Sequence, residues 1–507
     1  MTRERALDFK RVFWIAAPLT LLALLVACRL HTFHEVQEND CSLYAVAGGV
    51  LLDGGRLYVD VWDHKPPAVY WTFAVFEAVF GRGPLMVFAL NLVTVSLAAL
   101  GIFLAGAALT GKRWAGLVAA SLWCVLTCDV GLQANQPNGE LFINLCDIWL
   151  LLVFLRLRRP GWCWWLLLAG GGLVFWASCF KPIAALVPVL AALALLLAGP
   201  DRKTLFLKLL AMAGVAAACW LALCLWYWAA GDFAAFNFAV FEFNRAYAGD
   251  MLGNLRSAFL PANLLPACLL PFIPLGLCAA AGVASLLRWR HWSEAGLLLA
   301  YALAAFLMAA LPGFFYAHYY QYWLPVLALG AAAMAALEPR RAVLGLAAAA
   351  GAWTLYYESW TFRAPVDTIT KVKYGAYGDV LLDARKTAAT LAATLRDDET
   401  FYLWGFETNM YFESGKRPPS PVLFHRHLLQ EPYVGVMSRK AIDALERNPP
   451  ELLVVAKHAL DSFKPGNPVP LWLSRRYVAF PGYDLNPSFV LFLKQGGRLD
   501  NELNRRR

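Results

Sequence analysis

The stretch Pro66-Pro67-Ala68-Val69-Tyr70-Trp71-Thr72-Phe73-Ala74-Val75-Phe76-Glu77-Ala78-Val79-Phe80 is apolar but only 15 residues long. Whether it crosses a membrane decides the side on which every later loop lies. An upright helix needs about 20 apolar residues to span a bilayer. Around this stretch, apolar runs close to that length occupy about 12–29, 84–109, 114–130, 141–157, 162–180, 182–199, 207–230, 265–288, 294–312, 322–337 and 341–358. If 66–80 lies along the outer surface, then Lys112-Arg113, Arg156/Arg158/Arg159, Arg202-Lys203-Lys208, Arg288/Arg290 and Arg340-Arg341 all share the cytoplasmic side with the N-terminus. The opposite loops then hold few cations: Arg56, Lys65, Arg82, Lys181, Arg245 and Arg256. A crossing at 66–80 would reverse this and put every basic loop outside, against the rule that short cationic loops stay in the cytoplasm. The reading is therefore about eleven spans with 66–80 as a juxtamembrane helix.

Composition agrees with a membrane protein. Of the 507 residues, 60% are hydrophobic and the mean hydropathy is +0.52, whereas soluble domains are about 45–50% apolar. The 20 Trp, 19 Tyr and 32 Phe suit interfacial belts. A net charge of +9 could suggest nucleic acid. The cations, however, sit in short clusters between apolar runs, so no nucleic-acid partner is expected. The basic start (Arg3, Arg5, Lys10, Arg11) has no small-residue cleavage site after the first span and reads as a retained anchor. Ten of the 11 cysteines lie in or beside apolar segments, with only Cys41 in a polar loop, so no disulfide framework is required.

After Trp360 the chain becomes less apolar and contains no run of membrane length. A helix is expected at 383–395, strands at Phe401–Trp404, Leu452–Ala456 and 489–493, and a further helix at 437–445. The expected organisation is a transmembrane catalytic domain over 1–360, with a first outer loop at 31–83, followed by an α/β domain over 361–507. An odd number of spans puts that domain on the outer face.

The outer face also receives the chemistry-bearing loops, around Asp40, Lys65, Glu140, Lys181, Arg245 and His318. The first loop gathers four carboxylates, Glu38, Asp40, Asp60 and Asp63, together with His64 and Lys65. Such groups are costly at membrane depth and mark substrate paths beside a bilayer. Each has a plainer reading. Asp40 precedes an expected helix over 42–52 and suits an N-cap; Glu35 and Glu38 read as solvated loop acids. Lys65 suits an interfacial anchor and Lys181 a snorkelling lysine at a tight turn. Glu140 is favourable at a helix start; His318 reads equally well as a satisfied loop histidine and Arg245 as a surface arginine. Asp147 sits inside an apolar run.

The order Asp40, Tyr44, Leu51-Leu52-Asp53-Gly54, Tyr58-Val59-Asp60 and Asp63-His64-Lys65-Pro66-Pro67, with Tyr70-Trp71, resembles the first periplasmic loop of GT-C glycosyltransferases. The nearest branch is the bacterial relatives of protein O-mannosyltransferases and of the aminoarabinose transferase that modifies lipid A. Asn138-Gly139-Glu140-Leu141-Phe142, Cys179-Phe180-Lys181 after the glycines at 170–172, His318-Tyr319-Tyr320 before Leu324-Pro325, Trp404-Gly405 and Asn448-Pro449-Pro450 continue the likeness. The resemblance implies an all-α polytopic GT-C fold with a periplasmic α/β domain in a bacterial inner membrane. It also implies a polyprenyl-phosphate-linked sugar donor, inverting transfer, and Asp40 as general base. Relatives often carry Asp-Glu where this chain has Asp40-Cys41; Glu38 and Glu140 are the candidates to supply the second acid.

The chemistry suits the residues independently. An acceptor hydroxyl loses a proton as it attacks the anomeric carbon, and a positioned carboxylate accepts it. The leaving polyprenyl phosphate needs positive charge where its own charge grows. Lys65 is the first candidate, with Arg245 and His318 behind it. Glu38, Tyr44, Tyr58, Asp60, Asp63, His64, Glu140 and Lys181 are candidates for substrate contact. No Cys/His cluster has zinc spacing and no glycine-rich loop cradles a nucleotide, so no cofactor is required, with a divalent metal left open. The acceptor is a lipid, a glycan or a protein. Two rivals stand beside this reading: a transporter or flippase for lipid-linked glycans, kept open by Asp147, and an inactive relative, suggested by Cys41.

Overall fold

The computed structural model describes residues 3–198, 201–338, 340–464, 466–480 and 487–506. Each apolar run folds as helix: Arg3–Leu30, Pro84–Thr110, Arg113–Leu126, Gly139–Leu157, Trp164–Phe180, Leu186–Ala198, Arg202–Ala229, Ala267–Arg288, Trp292–Ala310, Ala317–Leu337 and Arg341–Glu358. Five of them (Pro84–Thr110, Arg202–Ala229, Ala267–Arg288, Trp292–Ala310 and Ala317–Leu337) are long and apolar enough to cross a bilayer, and the chain is a membrane protein. The exposed side chains of Arg202–Ala229 include Leu210, Leu221, Leu225 and Trp228, a surface suited to acyl chains. The deciding stretch forms the helix Ala68–Phe80. Its 13 residues rise about 20 Å, too little to cross a hydrocarbon core of about 30 Å upright. Tyr70 and Phe73 are buried on one side, while Val75 and Val79 are exposed on the other.

The chain divides into two compact units. The first comprises Phe33 and the residues before it, Phe88–Cys224 and Asp250–Pro365. Its helices meet where small residues permit: Gly282 packs directly on the Gly330 carbonyl, and a side chain there would force the Ile273–Arg288 and Leu324–Leu337 helices apart. The second unit comprises His34–Val87, Leu225–Gly249 and the chain from Val366 onward. The segment His34–Val87 thus packs with the C-terminal region. Trp62 bridges to Val422, and its amide donates to the Pro421 carbonyl at 2.8 Å.

The C-terminal region holds a four-stranded sheet of order β1-β2-β4-β3. β1 (Phe401–Trp404) runs parallel to β2 (Leu452–Ala456), and β4 (Phe489–Lys494) runs antiparallel to both β2 and β3 (Tyr477–Ala479). The parallel pair needs a crossover, which the helix Val434–Arg447 supplies. The three expected strands are present. β3, an edge strand of three residues, carries too little pattern to be read from sequence. The helix expected at 383–395 begins earlier and runs Ala376–Thr394.

Candidate functional site

In the second unit the first loop builds a compact charged cluster. The helix expected from 42 begins at Asn39, because the extended Glu38 (φ −67°, ψ 163°) is its N-cap residue. Asp40 therefore sits in the first turn and is not the cap, and Cys41, expected in a polar loop, is buried in the helix. The Asn39–Leu52 and Ala68–Phe80 helices meet closely at Gly48, where a Cβ would lie 2.8 Å from the Ala74 amide nitrogen. Between them, Tyr58 adopts a left-handed backbone (φ +69°). That conformation sends its buried hydroxyl to the Lys65 carbonyl, to which it donates at 2.8 Å. Pro66 then disfavours a helical backbone at Lys65.

The Lys65 ammonium lies 3.5 Å from Asp40 Oδ2 and 3.5 Å from Asp63 Oδ2. It also sits 5.1 Å from the Tyr44 ring centroid. The Tyr44 hydroxyl donates to Asp40 Oδ2 at 3.1 Å, and the Tyr70 hydroxyl donates to Asp63 Oδ2 at 2.6 Å. The two acids differ in access: the Asp63 side chain is 1% exposed and that of Asp40 28%. Asp63 is thus a buried counter-charge, and Asp40 is the more accessible carboxylate of the two. Burial pushes the Asp63 carboxyl up, but Lys65 and then His64 outweigh it and hold it well below the usual carboxylate range.

His427, from the C-terminal region, completes the cluster. Its Nε2 lies 3.9 Å from Asp63 Oδ1, and His64 Nδ1 lies 3.0 Å from the same oxygen. Burial, and then the neighbouring His64, push the His427 imidazole down to about 3, leaving it neutral. Ligand atoms of Asp63, His64 and His427 all lie within 4.8 Å of one another, and the three could hold a divalent ion. The spacing rules for zinc miss this group because its third member is more than 350 residues away.

Other expected residues are placed differently. Glu35 and Glu38 are buried, not solvated: Glu35 pairs with Lys373 at 3.1 Å, and the Tyr374 hydroxyl lies 3.4 Å from Glu38 Oε2. Asp60 is exposed and faces Arg56, 3.6 Å away. Arg245 is exposed and makes no ion pair among the described residues. Its neighbour Asn244 donates to the His64 carbonyl at 2.6 Å, which ties that segment to the loop.

In the first unit, Glu140 is fully buried at the start of Gly139–Leu157, where the Asn138 side chain accepts from the Gly139 amide. Lys181 does not snorkel: it forms an ion pair with Glu140, and its ammonium lies 4.8 Å from the Tyr319 ring centroid. A buried carboxylate needs a countercharge more than a headgroup needs a lysine. The Tyr322 hydroxyl lies 3.5 Å from Glu140 Oε1, and His318 Nδ1 is 3.0 Å from Gln133 Oε1. Tyr70, His427 and Tyr322 were not singled out by the sequence. Tyr70 alone had a signal, in its place after the paired prolines.

No protein-family model and no curated protein matches this sequence. Solved structures do. The chain is similar to ArnT from Cupriavidus metallidurans bound to undecaprenyl phosphate, at 17% identity and TM-score 0.53, covering 95% of this chain and 97% of that one. The apo state of that protein gives 16% identity and TM-score 0.56 over 96% and 98%. The archaeal oligosaccharyltransferase AglB from Archaeoglobus fulgidus, in complex with an inhibitory peptide and a dolichol-phosphate, gives 12% identity and TM-score 0.56 over 95% and 74%. At such identities the likeness is one of fold: the chain shares the fold of these two proteins over nearly its whole length.

Proposed function

We propose that this chain is an integral membrane glycosyltransferase that moves a sugar from a polyprenyl-phosphate-linked donor to a lipid, glycan or protein acceptor, with inversion. The observation that carries the reading is the Asp40–Lys65 pair: a reachable carboxylate beside a nearly buried ammonium, 3.5 Å apart, on a fold shared with proteins solved with undecaprenyl phosphate and dolichol-phosphate. Asp40 takes the proton of the acceptor hydroxyl as its oxygen bonds to the anomeric carbon. The bond from that carbon to the phosphate oxygen breaks, its electron pair stays on the phosphate, and Lys65 meets the growing charge. Arg245 and His318 are the secondary phosphate candidates. Glu38, Tyr44, Tyr58, Asp60, Asp63, His64, Glu140 and Lys181 shape or support the substrate sites. The chemistry requires no cofactor; a divalent ion held by Asp63, His64 and His427 would lend further positive charge.

Removing the ammonium tests the phosphate role. Lys65→Ala is expected to weaken donor use by about 2–4 kcal/mol, the range for a buried charge-assisted contact. Lys65→Arg should recover only part, since a planar fork replaces a compact charge. The measurement is transfer rate against polyprenyl-phospho-sugar concentration, and unchanged donor dependence in Lys65→Ala would leave it an interfacial anchor.

The proposed orientation is that of a bacterial inner-membrane protein with a cytoplasmic N-terminus, a catalytic part over 1–360 and a periplasmic region over 361–507. In a cysteine-free background, a cysteine at Gly415 should react with a membrane-impermeant reagent in intact cells, and one at Asp201 only after the membrane is opened. Reversed labelling would place the basic loops outside and overturn this orientation.

A further inference from the structure

The first turn of the Asn39–Leu52 helix, which carries Asp40, is gripped from the C-terminal region at two points. The Asn39 side-chain amide donates to the Tyr377 hydroxyl at 2.7 Å, and the Thr408 hydroxyl donates to the Asn39 carbonyl at 2.6 Å. Tyr377 in turn donates to Glu407 Oε1 at 2.6 Å. His458 Nε2 lies 2.7 Å from that same oxygen, and the Phe406 amide donates to Oε2 at 2.9 Å. The dipeptide Glu407-Thr408 therefore holds Asn39 by its side chain, through Tyr377, and directly by its carbonyl.

Glu407 is completely buried. Burial pushes its carboxyl up, but the bond to His458, and then that to Tyr377, outweigh it and hold it below the usual carboxylate range. The same bond raises His458 above the ordinary imidazole value, against its own burial. The pair is therefore fully effective between the two ordinary values. It weakens as pH falls through the folded Glu407 value or rises through that of His458. A buried carboxylate kept charged is expensive for a role that an apolar contact could fill. Its Oε2 is fixed by the Phe406 amide, which leaves Oε1, held by His458, to orient Tyr377 and, beyond it, Asn39.

We propose that Glu407 is a positioning residue: with Tyr377 and Thr408 it fixes Asn39 and thereby aims the neighbouring Asp40 carboxylate at the acceptor hydroxyl. The inference rests on Asp40 as general base and assigns the C-terminal region a part in that step. Small displacements of a reacting group cost rate more than binding.

The experiment measures transfer of radiolabel from a panel of undecaprenyl-phosphate-linked hexoses and pentoses into host membranes, per folded molecule of the full-length protein. Tyr377→Phe, Glu407→Gln, their double variant and Asp40→Asn are compared. Each of the first two is expected to lower kcat about tenfold and to leave the donor KM within about twofold. The double variant should be no slower than the slower single one, because the residues act in series. If Glu407→Gln does not fold, Tyr377→Phe carries the test alone, since it removes only the linking hydroxyl. Unchanged kcat in Tyr377→Phe, a change in KM alone, or multiplying losses in the double variant would overturn the positioning role. An inactive Asp40→Asn beside a normal Tyr377→Phe defeats this inference only; a normal Asp40→Asn defeats the general-base reading and this one with it.

Discussion

Asp40→Asn is expected to insert and fold as the parent chain does, yet to transfer sugar at least about 100-fold more slowly, the scale of a lost general base. The substitution keeps the shape of the side chain. The Tyr44 hydroxyl, 3.1 Å from Asp40 Oδ2, can still donate to an amide oxygen, and Asp63 still faces Lys65 at 3.5 Å. Loss of packing is therefore a poor explanation for any loss of rate. What disappears is the proposed proton acceptor, on the more exposed of the two carboxylates beside Lys65. The test compares rates for equal amounts of monodisperse protein, with donor concentration varied so that kcat and KM separate. Near-normal transfer by Asp40→Asn would remove Asp40 from the mechanism and move the search for the base to Glu38 or Glu140.

Lys373→Met should be the most destabilising single change, by about 3–5 kcal/mol, the cost of leaving a buried charge without its partner. The side chains of Lys373 and Glu35 are 0% and 1% exposed and lie 3.1 Å apart. Removing the ammonium takes the ion-pair partner from a carboxylate that is 1% exposed. The pair joins the loop after the first helix to the Val366–Tyr374 helix, so its loss should free the loop as well as lower the melting temperature. Adding Glu35→Gln to Lys373→Met should recover most of the loss, since replacing a whole buried pair is far less harmful than breaking it. Thermal melting and limited proteolysis of the full chain read both effects. A Lys373→Met protein that melts with the parent would show that the pair does not stabilise the fold.

What was legible in the sequence follows from how local each signal is. The helices are set by apolar length and the central strands by short runs such as Leu452-Leu453-Val454-Val455, so both appeared close to their observed bounds. The clustering of acids and bases around Asp40 and Lys65 was also readable, because the loop that carries them folds within some thirty residues and its prolines and glycines punctuate it. The helix start at Asn39 was misplaced by three residues, which changed Asp40 from a cap to a side chain in the first turn.

The sequence by itself determined that this is a membrane protein with several apolar helices and a loop of clustered acids and bases after the first of them, since hydropathy and charge are properties of single segments. Only the tertiary structure decided which of those charges are buried and paired. Glu35 meets Lys373, Asp63 meets His427, Asn39 meets Tyr377 and Glu140 meets Lys181 across 338, 364, 338 and 41 residues of chain. Such pairings have no period and no local propensity. They exist because a carboxylate taken out of water must find its countercharge or donor wherever the fold brings one within reach.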